Sequence, residues 1–195
     1  LVHRLGRLAE SQPDLDLRVS SAMHHVDFAG EDVDVAIRHG DGAWPGLDAV
    51  RLCSERLFPV CSPKLVAGRR RVATAADLLS FPLLRLGDWS TWMHWFEAAG
   101  VADPTPRGPV LNRASMLIDA AVDGQGIALA RTALAAADLI NGRLIRPVDV
   151  SLPMANTYWV VCPKVTSRTR KIAAFREWLL AEAAEDARRL QALGL

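Results

Sequence analysis

The sequence lacks the long apolar run and the bias in charge that would place it in several large classes of protein. No stretch approaches the roughly 18 consecutive apolar residues of a membrane span, and nothing at the N-terminus resembles a signal peptide. Its 23 basic and 22 acidic residues leave a net charge of +1, so it has no excess of positive charge for nucleic-acid phosphates. We therefore predict a cytoplasmic location, no membrane partner, and no DNA binding by these 195 residues alone.

Cysteines are few, and their positions do not suggest a metal site or a disulfide framework. Cys53, Cys61 and Cys162 are an odd number and lack the short spacing of metal ligands. We predict free thiols in a reducing compartment, with a redox sensor as the alternative. Cys61 and Cys162 stand in the similar runs VCSPK and VCPK, and they would lie close together if their strands paired.

Sequence motifs of common enzymes are also missing. There is no HExxH, CxxC, GxSxG or Walker loop, and no pattern selects a triad from the five histidines. The run Gly124 to Gly126 follows a predicted helix and precedes a predicted strand, whereas a dinucleotide-binding loop needs the reverse order. A glycine cap at the end of a helix is the better interpretation. We therefore predict no catalytic residue, no metal, no cofactor and no enzymatic activity.

The most informative stretch is residues 15–47, LDLRVSSAMHHVDFAGEDVDVAIRHGDGAWPGL. Leu15 to Ser20 and Val33 to Arg38 are short alternating or apolar segments, which predict two strands with a short helix between them. Small ligands collect beyond the carboxyl ends of strands in open α/β sheets. Side chains that can hydrogen-bond stand at the ends of both predicted strands: Ser20, Ser21, Arg38 and His39.

From residue 74 to residue 146, predicted helices alternate with short apolar strands, which is typical of parallel βα units. Strands are predicted at 83–86, 109–111, 127–130 and 144–146, and helices at 89–99, 114–122 and 132–139. The start of the second helix carries Asn112, Arg113 and Ser115, and free N–H groups there favour an anion. The residues alone leave open whether these side chains contact a ligand or whether Asn112 simply caps the helix.

Tryptophan occurs six times, in two informative settings. Trp44 lies in a loop rich in glycine and proline, where it would form either a wall of a ligand cleft or a plug at the end of the core. Trp89, Trp92 and Trp95 are spaced by three on one predicted helix, which indicates a buried stripe rather than a binding site. Trp89 begins that helix and is placed to reach a ligand.

Several of these runs together resemble one family. Asp27, Phe28, VDVAIRHGDG at 33–42, WPG at 44–46 and LFPVCSP at 57–63 look like the effector-binding domain of LysR-type bacterial transcriptional regulators. The subgroup that contains the glycine-cleavage activator and the β-lactamase regulator is the most similar. The resemblance covers nearly the whole chain.

The resemblance implies an α/β fold of two Rossmann-like subdomains joined by two crossover strands, as in type 2 periplasmic binding proteins. We expect subdomain I at residues 1–60 and 156–195, subdomain II at 61–155, and the crossovers at 57–61 and 157–161. The N-terminal winged helix-turn-helix of the family is expected to be absent from this chain.

The function implied by the resemblance is the sensing of a small-molecule effector in a cleft between the subdomains. Binding would change how a homodimer or tetramer presents the N-terminal domain to DNA, which is then the only contact with DNA. An amino acid or other carboxylate, a cell-wall fragment and an aromatic acid all suit such a cleft. The alternatives are the solute-binding component of a transporter and an enzyme on the same scaffold. The implied effector contacts are Ser20, Ser21, Arg38, His39, Trp44, Asn112, Arg113 and Ser115.

Overall fold

The described residues form eight strands in two sheets, and each sheet lies within one of two compact units. The computed structural model describes residues 1–22, 24–67 and 72–195, without the side chain of residue 3. Unit 1 comprises Leu1–Cys53 with Asn156–Glu185, and unit 2 comprises Ser54–Ala155 with Asp186–Leu195. No described helix is both long enough and apolar enough to cross a membrane.

The elements alternate along most of the chain. The strands are β1 (Ala36–Gly40), β2 (Leu47–Arg51), β3 (Arg56–Val60), β4 (Leu83–Leu86), β5 (Val110–Leu111), β6 (Ile127–Arg131), β7 (Leu152–Pro153) and β8 (Thr157–Pro163). The α-helices are α1 (Leu5–Ser11), α2 (Pro63–Val66), α3 (Ser90–Ala98), α4 (Ala114–Val122), α5 (Thr132–Ile140) and α6 (Arg170–Ala192), and short 3-10 helices lie at Val2–Arg4 and Ala75–Ser80.

The sheet of unit 1 has three strands in the order β1, β8, β2, and both outer strands run antiparallel to β8. Strand β1 pairs with β8 from Ala36 opposite Val161 to Gly40 opposite Thr157. Helices α1 and α6 cover this sheet with an apolar cluster that buries Leu8, Val160, Phe175 and Leu179.

The strand predicted at residues 15–20 does not form, and the described residues between residue 15 and β1, namely 15–22 and 24–35, contain no helix. The alternation that predicted a strand is present, because Leu15 and Leu17 pack against the core of unit 1 while Asp16 and Arg18 are exposed. Alternation reports which side chains are buried, whereas a strand also needs a neighbour for its backbone hydrogen bonds. Among the described residues no strand lies beside this segment.

An ion-pair cluster joins the first turns of the chain to α6 within unit 1. Arg4 Nη1 lies 2.5 Å from Glu182 Oε2 and also donates to the Glu182 carbonyl at 3.1 Å, and Arg7 Nη1 lies 3.1 Å from Oε2. Burial alone would raise the pKa of Glu182, but the hydrogen bonds and charges of the two arginines hold that pKa below its ordinary value of 4.5. The ionised carboxylate therefore stabilises the folded state.

Replacing Glu182 by glutamine is expected to lower the free energy of unfolding by about 1 to 3 kcal/mol at neutral pH. A carboxyl group whose pKa is depressed on folding contributes stability above its unfolded pKa and loses it as pH falls through the folded pKa. The difference between wild type and variant should therefore disappear at acid pH, measured by urea denaturation from pH 7 downward. Glu177→Gln, on the exposed side of the same helix, serves as the control, and a pH-independent loss would contradict the ion-pair explanation.

The sheet of unit 2 has the order β5, β4, β6, β3, β7. Strand β4 runs parallel to β5 and β6, whereas β3 runs antiparallel to β6 and β7. Successive residues of its strands enter different apolar clusters: Leu83 packs with Trp92 and Trp95 of α3, and Leu84 packs with Leu117 of α4. Because successive side chains of a strand point to opposite faces, helices cover both faces of this sheet.

The division into units differs from the predicted one. The chain first passes between units after residue 53, not after residue 60, because β3 pairs along its length with β6 and belongs to unit 2. The run 57–61, predicted as a crossover, is therefore mostly a strand of unit 2. Residues 186–195, predicted in subdomain I, also belong to unit 2, because Leu190 packs into the apolar cluster around Leu84 and Leu117.

All three cysteines are free thiols, as predicted. Cys61 and Cys162 do not lie on paired strands, because β3 pairs with β6 and β7 while β8 pairs with β1 and β2. Burial raises the pKa of the Cys61 thiol to about 11. A thiol that stays protonated at neutral pH is a poor nucleophile, which argues against redox sensing at this residue.

Gly124 ends α4 in the left-handed conformation, with φ of 75°. Its N–H donates to the Ala121 carbonyl at 3.1 Å, and the N–H of Gln125 donates to Ala120 at 3.0 Å. This pair of bonds is the Schellman motif. The prediction of a glycine cap is confirmed, and these N–H groups are not available to a phosphate.

Candidate functional site

A pocket of about 160 Å³ opens within unit 2. It lies at the edge of the sheet where β4 and β6 end, where β3 begins, and where α4 starts. Its apolar lining includes Leu57, Leu84, Trp92, Leu117, Ile118 and Leu134, and its polar lining is Arg85, Asp88, Thr91 and Arg131.

The sheet topology brings these polar residues together. Because β4 and β6 are parallel neighbours, with Leu84 opposite Ala128, their carboxyl ends share one edge of the sheet. Arg85 lies near the end of β4, and Arg131 is the last residue of β6, directly before α5. This edge is where α/β sheets usually hold small ligands.

The mouth of the pocket carries more positive than negative charge, since two arginines face one aspartate. Arg85 donates from Nη1 to the Gly87 carbonyl, lies 4.8 Å over the ring of Trp89, and has a buried Nε without a hydrogen-bond partner. The Arg131 residue is half-buried, and its side chain makes no hydrogen bond or ion pair with a described residue. Both guanidinium groups therefore retain donors for a ligand.

Two of the three helices that begin near the pocket are capped by carboxylates. Asp88 Oδ1 accepts from the hydroxyl and the N–H of Ser90 at 2.5 and 2.9 Å, and these hydrogen bonds hold the pKa of Asp88 below its ordinary value. The buried Glu55 accepts from Ala133 in the first turn of α5 at 3.0 Å. By contrast, Arg113, the N-cap residue of α4, makes no side-chain capping bond. The first N–H groups of α4 are thus the ones left for an anion.

The predicted contacts in unit 2 lie beside this pocket but do not line it. Asn112, Arg113 and Ser115 are exposed at the start of α4, and the pocket is lined by their neighbour Ala114. None of the four polar lining residues was predicted as a ligand contact. The pattern that could have found Arg85 and Arg131 is the one that selected Arg38, namely a polar residue at the end of a predicted apolar strand. In the structure β1 continues past Arg38 to Gly40.

In unit 1 the structure brings Arg38 and Trp44 together. Arg38 Nη2 donates to the Val26 carbonyl at 2.7 Å, and its guanidinium lies 5.4 Å from the Phe28 ring centre and 5.9 Å from that of Trp44. The Arg38 Nε is buried and has no hydrogen-bond partner. The guanidinium is thus held in place by aromatic rings and one carbonyl, and it retains a buried donor.

Aromatic residues of β8 lie beside β1 on both faces of the sheet. Trp159 meets Trp44 edge to face at 6.4 Å on the face of Arg38. His39 and Tyr158, one position further along each strand, meet edge to face at 5.0 Å on the opposite face. Trp159 Nε1 donates to the Gly40 carbonyl at 3.0 Å. The sequence predicts Tyr158 and Trp159 only as part of a crossover strand.

The remaining predicted contacts in unit 1 are not part of the Arg38 cluster. Ser20 and Ser21 are exposed, and neither hydroxyl makes a hydrogen bond with a described residue. Over residues 1–22, 24–67 and 72–195 no cluster of side chains is suited to hold a metal ion.

Comparison with known proteins decides the family. Residues 1–184 match the model of the LysR substrate binding domain. The chain belongs to this family. This LysR domain is 36% identical over 187 residues to the glycine cleavage system transcriptional activator of Escherichia coli K12, which covers 95% of the chain and 61% of the activator. It is also 36% identical over 190 residues to the transcriptional activator AmpR of Pseudomonas aeruginosa, covering 96% of the chain and 63% of AmpR.

Solved structures support the same assignment. The effector domain of AmpR from Pseudomonas aeruginosa superimposes with a TM-score of 0.74 at 35% identity, covering 96% of this LysR domain and 90% of that chain. The effector-binding domain of AmpR from Citrobacter freundii gives 0.74 at 31% identity, covering 94% and 91%. The predicted resemblance and the predicted α/β fold of the type 2 periplasmic-binding-protein kind are confirmed. The relatives are transcriptional regulators, so the transporter alternative gains no support.

Proposed function

We propose that this LysR domain senses a small-molecule effector and, as part of a longer regulator, converts binding into a change in transcription. The observation that carries the proposal is the unit 2 pocket, with an apolar interior, two arginines at its mouth and the uncapped start of α4 beside it. Such a pocket suits a small anion. The proposal of a longer protein is supported by the relatives, since the chain spans 61% of the length of the Escherichia coli activator.

The proposed mechanism is a shift between conformations. A ligand changes a conformational equilibrium only by as much as its affinity differs between the two states. In this LysR domain the ligand would order Arg85 and Arg131 around its charge and fill the apolar interior. The response would reach DNA through an N-terminal domain outside this chain, within a cytoplasmic homodimer or tetramer that uses α1.

The side chains of the pocket favour sensing of a ligand over its catalytic conversion. Its carboxylate, Asp88, is engaged by the hydroxyl and N–H of Ser90 and stays ionised, so it is a poor general acid. In unit 1 we propose Arg38 as a second anion contact, with Phe28 and Trp44 shaping its surroundings. His39, on the opposite face of this sheet, stays a proposed contact. The exposed residues Ser20, Ser21, Asn112, Arg113 and Ser115 stay proposed contacts.

A thermal-shift screen over amino acids, aromatic acids and cell-wall fragments is the test. A true effector is expected to stabilise the domain by about 2.7 kcal/mol when present at 100 times its dissociation constant, and to change the mobility of the full-length protein on its promoter DNA. If the domain is folded and no compound raises its melting temperature, the result would count against sensing. Conversion of a hit to a product would favour an enzyme.

Arg38→Ala tests the proposed contact in unit 1. Loss of one charge-assisted pair should weaken binding of an anionic hit about tenfold or more. Arg18→Ala is the matched control, because Arg18 has an 84% exposed side chain and faces only Asp16, at 4.0 Å. Equal affinities for the two variants would remove Arg38 from the site.

A further inference from the structure

The walls of the unit 2 pocket limit the chemistry of its ligand more narrowly than the family does. The interior is formed by leucine, isoleucine and tryptophan side chains of β4, α3, α4 and α5, among them Leu84, Trp92, Leu117, Ile118 and Leu134. None of these offers a hydrogen bond into the pocket, since Trp92 Nε1 already donates to the Leu84 carbonyl at 2.9 Å. A polar or charged body would lose its water here without replacement, which costs several kcal/mol.

The size of the pocket sets a second limit. Its volume of about 160 Å³ is close to the roughly 150 Å³ of an engineered apolar cavity that binds benzene. A glycine-sized molecule would leave most of this space empty, and a cell-wall fragment would far exceed it. The apolar part of the ligand is therefore a single ring or a short branched chain.

The arginines at the mouth of the pocket determine which charge the ligand should carry. The guanidinium of Arg131 has no partner among the described residues, and Arg85 keeps a buried, unpaired Nε. A guanidinium binds a carboxylate through two parallel hydrogen bonds, and the uncapped first turn of α4 adds N–H donors on the same side. The carboxylate that lines the mouth, Asp88, is exposed and caps α3.

We propose that unit 2 of this LysR domain binds a small monocarboxylate with an apolar body about the size of a benzene ring, its carboxylate toward Arg131 and Arg85 and its body between α4 and β4. This inference rests on the proposed sensing function and names the class of effector for it. It separates an aromatic acid from the amino acids and cell-wall fragments that the family resemblance leaves open.

Calorimetric titration with sodium benzoate is the direct test. Benzoate should bind, and the neutral isostere benzamide should bind at least about tenfold more weakly, since it lacks the charge that Arg131 would meet. Glycine and acetate, which lack the apolar body, should show no binding at the same concentrations. Binding of L-phenylalanine in preference to benzoate would overturn the proposal, because it would place an ammonium group in the site.

Two variants locate the binding. Arg131→Gln should weaken benzoate binding about tenfold or more, and Ala114→Leu should block the mouth from the first turn of α4. Arg107→Gln, at an exposed arginine of the same unit, should leave the affinity unchanged. Benzoate binding that neither Arg131→Gln nor Ala114→Leu affects would mean that it binds elsewhere, and the proposal would be wrong.

The two proposals fail in different ways. If benzoate does not bind but a compound of another class stabilises the domain, sensing stands and the monocarboxylate assignment is wrong. If no compound of any class stabilises a domain that circular dichroism shows to be folded, both are wrong.

Discussion

Replacing Trp92 by alanine is expected to lower the free energy of unfolding by about 3 to 5 kcal/mol. Trp92 is 1% exposed, its indole N–H donates to the Leu84 carbonyl at 2.9 Å, and its ring stacks on Phe96 at 5.4 Å. The variant loses this packing and leaves the carbonyl of a central strand without its donor. Urea denaturation followed by far-UV circular dichroism measures the change.

Trp89→Ala is the control for Trp92→Ala. Trp89 is half-buried at the N-cap of α3, where it packs only at the margin of the apolar cluster around Trp92 and lies 4.8 Å from the Arg85 guanidinium. Such a partly exposed cation–π contact is worth about 0.5 to 1 kcal/mol. Similar losses for the two variants would contradict the assignment of Trp92, and not Trp89, to the buried stripe.

Gly108→Ala is expected to destabilise unit 2 by about 3 kcal/mol, because a side chain at this position has no space. Gly108 has φ of 153°, and a Cβ placed there would lie 2.2 Å from the Leu83 carbonyl oxygen and 2.7 Å from the Leu83 nitrogen. Both atoms belong to the backbone of β4, and the neighbouring bond from Leu83 N–H to the Arg107 carbonyl is 2.8 Å long. The 107–109 segment would have to move away from β4. Thermal denaturation would detect the resulting loss of stability.

Gly124→Ala distinguishes this steric effect from the ordinary cost of replacing a glycine. Gly124 also has a positive φ, of 75°, but the nearest atom to its added Cβ would be Ser62 Cβ at 3.8 Å. Only the conformational cost of about 1 to 2 kcal/mol remains. If Gly108→Ala were no worse than Gly124→Ala, the close approach of the 107–109 segment to β4 would be wrong.

Much of unit 2 is predictable from sequence because its longer strands and helices are apolar or periodic runs, several of which end within two residues of a glycine. Strand β4 and helix α4 occupy the predicted ranges 83–86 and 114–122. The strand predicted at 144–146 is reduced to a single bridge between Ile145 and Cys61. A short apolar run indicates burial, but the length of its pairing depends on the partner strand.

The pocket was less predictable than the elements that form it. Arg38 and Arg131 each end a short apolar run of the sequence. In the structure Arg38 lies in the middle of β1 with its guanidinium against aromatic rings, whereas Arg131 ends β6 and lines the pocket. The direction of a side chain at a strand end depends on how the following loop packs. That is a tertiary property, so no periodicity in the sequence distinguishes these arginines from surface ones.

Strand β1 is paired on one side by β8 and, within the described part of the chain, has no neighbour on the other. The outer N–H and C=O groups of an edge strand are a template on which another extended chain can add. Ile37, 37% exposed on this strand, offers no charge to prevent such addition. Solutions of the isolated domain are therefore expected to be prone to aggregation through this edge, and a lysine at position 37 is the natural change for storage and crystallisation.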